Sequence, residues 1–343
     1  MRRSADQLLL LALGGLLLLA SALPATAADR AHQAWLAVVT PAAPEPHLVE
    51  SRAKPTRQPK TELLAFASAP FPYHGTVPGT DEPFLNVEEN GRLGHRSGRG
   101  NVHWNDQTYS DPRVLLHIPK GFDIRRPGLI VLFFHGHGAT LERDVLHRQR
   151  VADQVSRSGA NAVLVAPQLA FDAADSSAGK LWESGGCRQL LAEASKRLAQ
   201  MLASPKAVRS FASMPVVIVA YSGGFLPTAS CLQRGGLNAR VRGVVLLDGL
   251  YGDTAVFERW LLSDRSAFFI SSYTGSTAGN NLRLRQILEQ NAVATSDNLQ
   301  PRLAKGSVAF LATADVSHRD FVTAAWTEDP LADVLKRAGA FAR

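Results

Sequence analysis

The sequence predicts an α/β domain built on a mostly parallel central sheet with helices on both faces, and three observations lead there. From Arg113 onward, apolar runs rich in β-branched residues recur: GLIVLFF, NAVLVAP, PVVIVA, VRGVVLLD, SAFFISS and SVAFLAT. They are continuous rather than alternating, as expected of strands covered on both faces. The segments between them carry helical patterns, and strands alternating with helices over more than 200 residues favour a parallel sheet joined by crossovers. Finally, one run stops in Ala220-Tyr-Ser-Gly-Gly224, a serine among small residues where a strand should give way to a helix.

The elements follow in order. RVLLHIP sets Val114, Leu116 and Ile118 against Arg113, Leu115 and His117, a strand with one more polar face. Leu141, Val145, Val151 and Val155 fit helical spacing loosely, whereas Leu190, Ala194, Leu198 and Met201 fit it well. Asp329-Pro330 reads as an N-cap followed by proline at the first helical position, opening PLADVLKRAGA. Upstream, residues 28–74 carry PAAPEP and AKPTRQPK with few periodic apolar positions, which predicts a linker or loosely ordered arm. Residues 75–111 include GRLGHRSGRGNVHW, a polar Gly-rich stretch expected to be surface loop, with regular structure beginning near Arg113. The main domain is therefore expected over 75–343.

At 343 residues the chain can bury a full core. An apolar share of 45% with 20% charged residues excludes a disordered or multispanning class. The net charge of +7 favours anionic surfaces in general but names no partner, and no nucleic-acid partner is expected. Arg2 and Arg3, the apolar block Leu8–Leu23 and the small-x-small site Ala25-Thr-Ala27 form a signal peptide over 1–27. The block has 16 residues, short of the roughly 18 that a membrane span needs. The mature chain is thus expected in the periplasm or medium, with no stable membrane span after cleavage. Cys187 and Cys231 would then meet an oxidising compartment, where they form one disulfide or pack as two buried thiols.

In sheets of this kind functional groups lie at the carboxyl ends of strands. Ser222 stands there. A tight strand-to-helix turn holds a serine in a strained conformation, and only small residues two places to either side avoid clashes. The helix that follows turns its N-terminus toward the site and favours developing negative charge. His135-Gly-His-Gly138 ends another strand, and glycines there let backbone N–H groups approach a substrate oxygen. Gly136, His137 and Gly223 are the candidate oxyanion donors. The H-x-H spacing also fits a metal site, but a binuclear metallohydrolase pattern would place aspartate and histidine where this chain has Ala139-Thr140. No metal and no cofactor are expected, and the chain has neither a G-x-x-x-x-G-K-[ST] nor a helix-opening G-x-G-x-x-G phosphate cradle.

A serine nucleophile needs a base, and of ten histidines only His318 follows Ser222. Asp248 ends the strand VRGVVLLD and is preferred as the acid that orients His318; Asp253, better placed to cap the helix TAVFERWLL, is the fallback. Tyr221, Asp172, Asp175 and Trp182 are candidates for substrate contact, the last three lying in the loop after NAVLVAP. Trp182 fits packing under that loop slightly better.

The H-G-H-G strand end, the A-Y-S-G-G turn, Asp248 and His318, in this order, resemble the α/β-hydrolase superfamily over roughly Arg113 to Ala338. The resemblance implies acyl transfer from an ester or amide through an acyl-enzyme, with a small-molecule or polymeric ester as substrate. An acyltransferase or amidase would use the same residues, and a catalytically silent binding protein would share the scaffold. In that superfamily the acid most often follows the next strand, here SAFFISSYTGSTAGNN, which contains no carboxylate.

Overall fold

The computed structural model describes residues 54–342 with the exception of Arg99. The expected signal peptide and the first part of the Pro-rich arm, to residue 53, lie outside the described residues. Eight strands form the main sheet: β1 (Lys60–Ala65), β5 (Arg113–Ile118), β6 (Leu129–Phe134), β7 (Ala162–Pro167), β8 (Val216–Tyr221), β9 (Val241–Leu247), β10 (Phe268–Tyr273) and β11 (Val308–Ala312). Their spatial order is β1-β5-β7-β6-β8-β9-β10-β11, so in chain order among themselves they run 1-2-4-3-5-6-7-8. β5 is antiparallel to both of its neighbours and the remaining pairs are parallel. This is the α/β-hydrolase fold.

The continuous apolar runs have the cause inferred from the sequence. β6, β7, β8 and β10 are buried at every position. Ile130, Leu132 and Phe134 of β6 face one core with the helices Gly186–Met201 and Phe225–Arg234. Leu129, Val131 and Phe133 face the other, with Val151 and Val155 of the helix Val151–Arg157 and with Leu331, Val334 and Leu335 of the helix Pro330–Arg337. Each such side chain contributes about 1.5–3 kcal/mol on burial, enough to fix the strand ends that carry the site. Asp329 does stand at the N-cap position, but its carboxylate makes no cap bond and pairs with Arg157 at 2.8 Å.

Two expectations are corrected. Among the described residues regular structure begins at Lys60, not near Arg113. The supposed arm enters the sheet as β1, antiparallel to β5 from Lys60↔Ile118 to Ala65↔Arg113. It then buries Phe66, Phe71 and Tyr73. β1 is an edge strand without a fully buried position, so its sequence lacks the apolar signal of the inner strands. The Gly-rich stretch expected to be loop carries a small antiparallel sheet, β2 (Val87–Glu89), β3 (Arg92–Arg96) and β4 (Val102–Trp104).

Candidate active site

β8 delivers Ser222 with φ of 54°, in the left-handed region that costs a non-glycine residue roughly 1–3 kcal/mol. The surrounding small residues make this turn possible. A side chain at Gly224 would place its Cβ 2.5 Å from the Phe134 carbonyl oxygen, and one at Gly136 would meet Ser222 Cβ at 2.7 Å. Ser222 opens a helical turn that runs into the helix Phe225–Arg234. It sits in the wall of a cleft of about 480 Å³.

His318 follows β11 and reaches back to this point. Its Nε2 lies 2.8 Å from Ser222 Oγ and its Nδ1 lies 2.6 Å from Asp248 Oδ2. An ionised carboxylate only accepts, so Nδ1 carries the proton and Nε2 is the acceptor for the serine hydroxyl. The imidazole is held from several sides. Tyr221 stacks on it at 5.1 Å between ring centroids and donates its hydroxyl to the His318 carbonyl at 2.9 Å. Arg148, from the π-helical segment Leu141–Arg148, donates to the carbonyl of Arg319 at 2.9 Å.

Asp248 ends β9 with φ of 43° and is fully buried. Burial alone would raise its pKa. Hydrogen bonds from His318, Thr277 and Thr274 outweigh burial and hold the carboxyl below its ordinary value. Oδ1 accepts from Thr277 Oγ1 at 2.5 Å and from Thr274 N–H at 3.1 Å, while Thr274 Oγ1 also reaches Oδ2 at 3.0 Å. Asp253 stands at the N-cap position of the helix Thr254–Ser263, and burial raises its pKa. The structure thus pairs His318 with Asp248.

The H-G-H-G loop has a buried anchor. Leu169 N–H donates to His135 Nε2 at 2.9 Å, which leaves the proton on Nδ1 to donate to the Gly136 carbonyl at 2.8 Å. Burial pushes the His135 pKa down to about 4, so the ring stays neutral in ordinary buffers. In a planar trans peptide the carbonyl and the next N–H point oppositely, so this bond turns the His137 N–H away from His135. Gly136 abuts Ser222, and both His137 and Gly223 line the cleft.

Of the residues expected to contact substrate, Tyr221 and Asp175 line the cleft. Asp172 and Trp182 are not among its lining residues. Asp172 turns to Arg143, 2.9 Å away. Trp182 packs edge-on against Tyr73 and Phe84 at 6.0 and 5.8 Å. Phe225, three residues after Ser222, also lines the cleft, as do Ser97, Gly98, Ser176 and Tyr251, which carried no signal in the sequence because they arrive from loops by tertiary approach. Cys187 and Cys231 form a disulfide, with Cα atoms 5.6 Å apart. Among the described residues no cluster of His, Cys, Asp and Glu is arranged to hold a metal ion, and no helix is long and apolar enough to cross a membrane.

The site therefore joins a buried serine on a strained turn, through a histidine, to a buried carboxylate. No protein-family model matches the chain, and no curated protein matches it. Among solved structures it is similar to the feruloyl esterase module of Clostridium thermocellum, with 13% identity, a TM-score of 0.42 and coverage of 79% of this chain and 96% of that one. An S-formylglutathione hydrolase of Agrobacterium tumefaciens gives 12% identity and a TM-score of 0.41 over 75% of this chain and 98% of that one. An IroE-like serine hydrolase of Shewanella oneidensis gives 11% and 0.41 over 65% and 74%. Likenesses this distant carry no weight for the chemistry, which rests on the site's own geometry.

Proposed function

We propose that the chain is an exported serine hydrolase that cleaves a carboxylic ester, small or polymeric, through an acyl-enzyme. The observation that carries this reading is the unbroken hydrogen-bond chain from Ser222 through His318 to Asp248, at 2.8 and 2.6 Å. Ser222 Oγ attacks the ester carbonyl carbon while His318 Nε2 takes its proton. Asp248 holds the imidazole in the required tautomer and stabilises the imidazolium. The carbonyl electrons move onto oxygen, and the N–H groups of Gly223 and the Gly136–His137 segment receive that oxyanion. Collapse expels the alcohol, which takes the proton from His318. Water, deprotonated by the same histidine, then releases the acid. Residues 1–27 serve as the export signal, and the catalytic domain extends from β1 to the C-terminus rather than from residue 75. The Cys187–Cys231 disulfide supports folding in an oxidising compartment.

The test is fluorophosphonate labelling of the mature protein, with the adduct located by mass spectrometry. Label on Ser222 that is absent from Ser222→Ala and strongly reduced in His318→Ala is the expected result. A folded protein that takes no label would remove the hydrolase reading.

A further inference from the structure

The site holds a second serine–histidine pair that the mechanism above does not use. Ser176 Oγ is hydrogen-bonded to His137 Nε2, and both side chains line the same cleft as Ser222. Their position is fixed by what they crowd. A Cβ built on Gly223 would collide with Ser176 Oγ and would lie 2.9 Å from His137 Nε2 and 2.8 Å from His137 Cδ2. The pair therefore stands over the α-carbon of the residue directly after Ser222, whose N–H is the candidate oxyanion donor. It also explains why glycine occupies position 223, where the strain on Ser222 alone would not demand it.

The loop that carries Ser176 is tied on both sides. Gly138 N–H donates to the Ala173 carbonyl at 2.8 Å, and Arg143 bridges the Gly138 carbonyl and Asp172. Asp175 Oδ2 accepts from the Tyr109 hydroxyl at 3.0 Å and from Ser177 N–H at 3.3 Å. The Gly138 and Arg143 bonds fasten the loop after β7 to the H-G-H-G loop after β6, and the Asp175 bonds tie it to Tyr109 and to itself, so the hydroxyl is held in place before any substrate arrives.

Resting on the serine-hydrolase reading, we propose that Ser176 is a catalytic residue, a side-chain donor to the oxyanion, and that His137 is the residue that positions it. When His137 donates from Nε2, Ser176 Oγ accepts that bond and keeps its own proton for the substrate oxygen. The bond gains strength as charge moves onto that oxygen, so its effect falls on turnover rather than on substrate binding. No proton leaves Ser176 and no bond to its oxygen forms. That separates this role from a second nucleophile.

The experiment compares wild type with Ser176→Ala, Ser176→Thr and His137→Gln, all as full mature chains. The readouts are the rate constant and position of fluorophosphonate labelling, kcat and KM for p-nitrophenyl butyrate, and the melting temperature. Ser176→Ala should label at Ser222 only, on the order of 100-fold more slowly. Its kcat should fall in parallel, with KM within twofold and melting unchanged. Ser176→Thr, which restores the hydroxyl, should recover most of the rate. His137→Gln should lower kcat, and adding it to Ser176→Ala should cost little more, because the two act as one unit. The assignment is overturned by Ser176→Ala with kcat within twofold of wild type, by a raised KM at unchanged kcat, or by an adduct on Ser176. Those results leave the hydrolase reading standing, provided that wild type labels at Ser222. A wild type that takes no label removes both.

Discussion

Replacing Asp248 by Asn tests the tautomer argument at the heart of the site. The substitution conserves volume, and the donors around the carboxylate dictate how the amide must sit. Oδ1 faces Thr277 Oγ1 at 2.5 Å and Thr274 N–H at 3.1 Å, and the backbone N–H can only donate, so this place requires an acceptor. The amide oxygen therefore takes the Oδ1 place and the NH2 takes the Oδ2 place, 2.6 Å from His318 Nδ1. Facing a donor, Nδ1 must become the acceptor, so the proton moves to Nε2. The nitrogen 2.8 Å from Ser222 Oγ can then no longer accept the serine proton. Loss of the tautomer together with the charge that stabilises the imidazolium costs about 10⁴-fold in kcat, the fall seen when the same change is made in a serine-protease triad. That is about 5.5 kcal/mol of barrier. The assay is p-nitrophenyl butyrate hydrolysis beside a thermal melt. A folded Asp248→Asn protein whose kcat stays within tenfold of wild type would refute the argument.

Other consequences can be measured independently. Burial pushes His117, bonded to Thr61 and Ser156, and also His135 from 6.5 to about 4. Both pKa values are depressed in the folded state, so their contribution is complete above pH 6.5 and is lost as pH falls to about 4. The slope is about 1.4 kcal/mol per pH unit for each histidine. Urea unfolding between pH 6 and 5, well inside the window between the unfolded and folded values, should come close to this slope, and His117→Gln should remove its share; an unchanged slope in that variant contradicts it. The disulfide joins the helices Gly186–Met201 and Phe225–Arg234 across 44 residues. Its loss in the Cys187→Ser/Cys231→Ser double variant should cost up to about 4 kcal/mol of unfolding free energy, whereas equal stability would show that the link constrains nothing. Tyr221→Phe removes a bond of about 1 kcal/mol to the His318 carbonyl while keeping the stacked ring. Its kcat should fall about fivefold at unchanged KM, and full activity would show that the loop holds His318 without it.

The inner strands and the three linked residues were legible in the sequence for one shared reason. A strand covered on both faces is written as an unbroken apolar run, and the first polar residue after the run marks its carboxyl end. Ser222 follows such a run directly, Asp248 closes another, and His318 lies in the loop beyond a third. β1 was missed because an edge strand half in solvent has no such run. Ser176 and Ser97 were missed because a side chain brought to the cleft by a loop is selected by its neighbours in space and leaves no periodic trace. Asp172, Asp175 and Trp182 share one loop with Ser176, yet only Asp175 and Ser176 line the cleft. Proximity in sequence selected the right loop and could not select the side chains.

The position of the acid shows how the sheet itself permits that choice. β9 and β10 are parallel neighbours, and Leu247 pairs with Ser272, so Asp248 and Thr274 end adjacent strands side by side. Asp248 N–H donates to the Ser272 carbonyl at 2.8 Å, and Thr274 returns its N–H and hydroxyl to the Asp248 carboxylate. The Asp248 carboxylate lies between His318, which it meets through Oδ2, and the donors that follow β10. Asp248 is buried, so it would stay uncharged without compensation. The end of β10 supplies compensation in place of a second carboxylate: Thr274 and Thr277 are neutral donors, which favour the charged form of Asp248 without competing for His318. Where the sequence shows no carboxylate after β10, the structure thus places threonine donors that help hold Asp248 in its charged form beside His318.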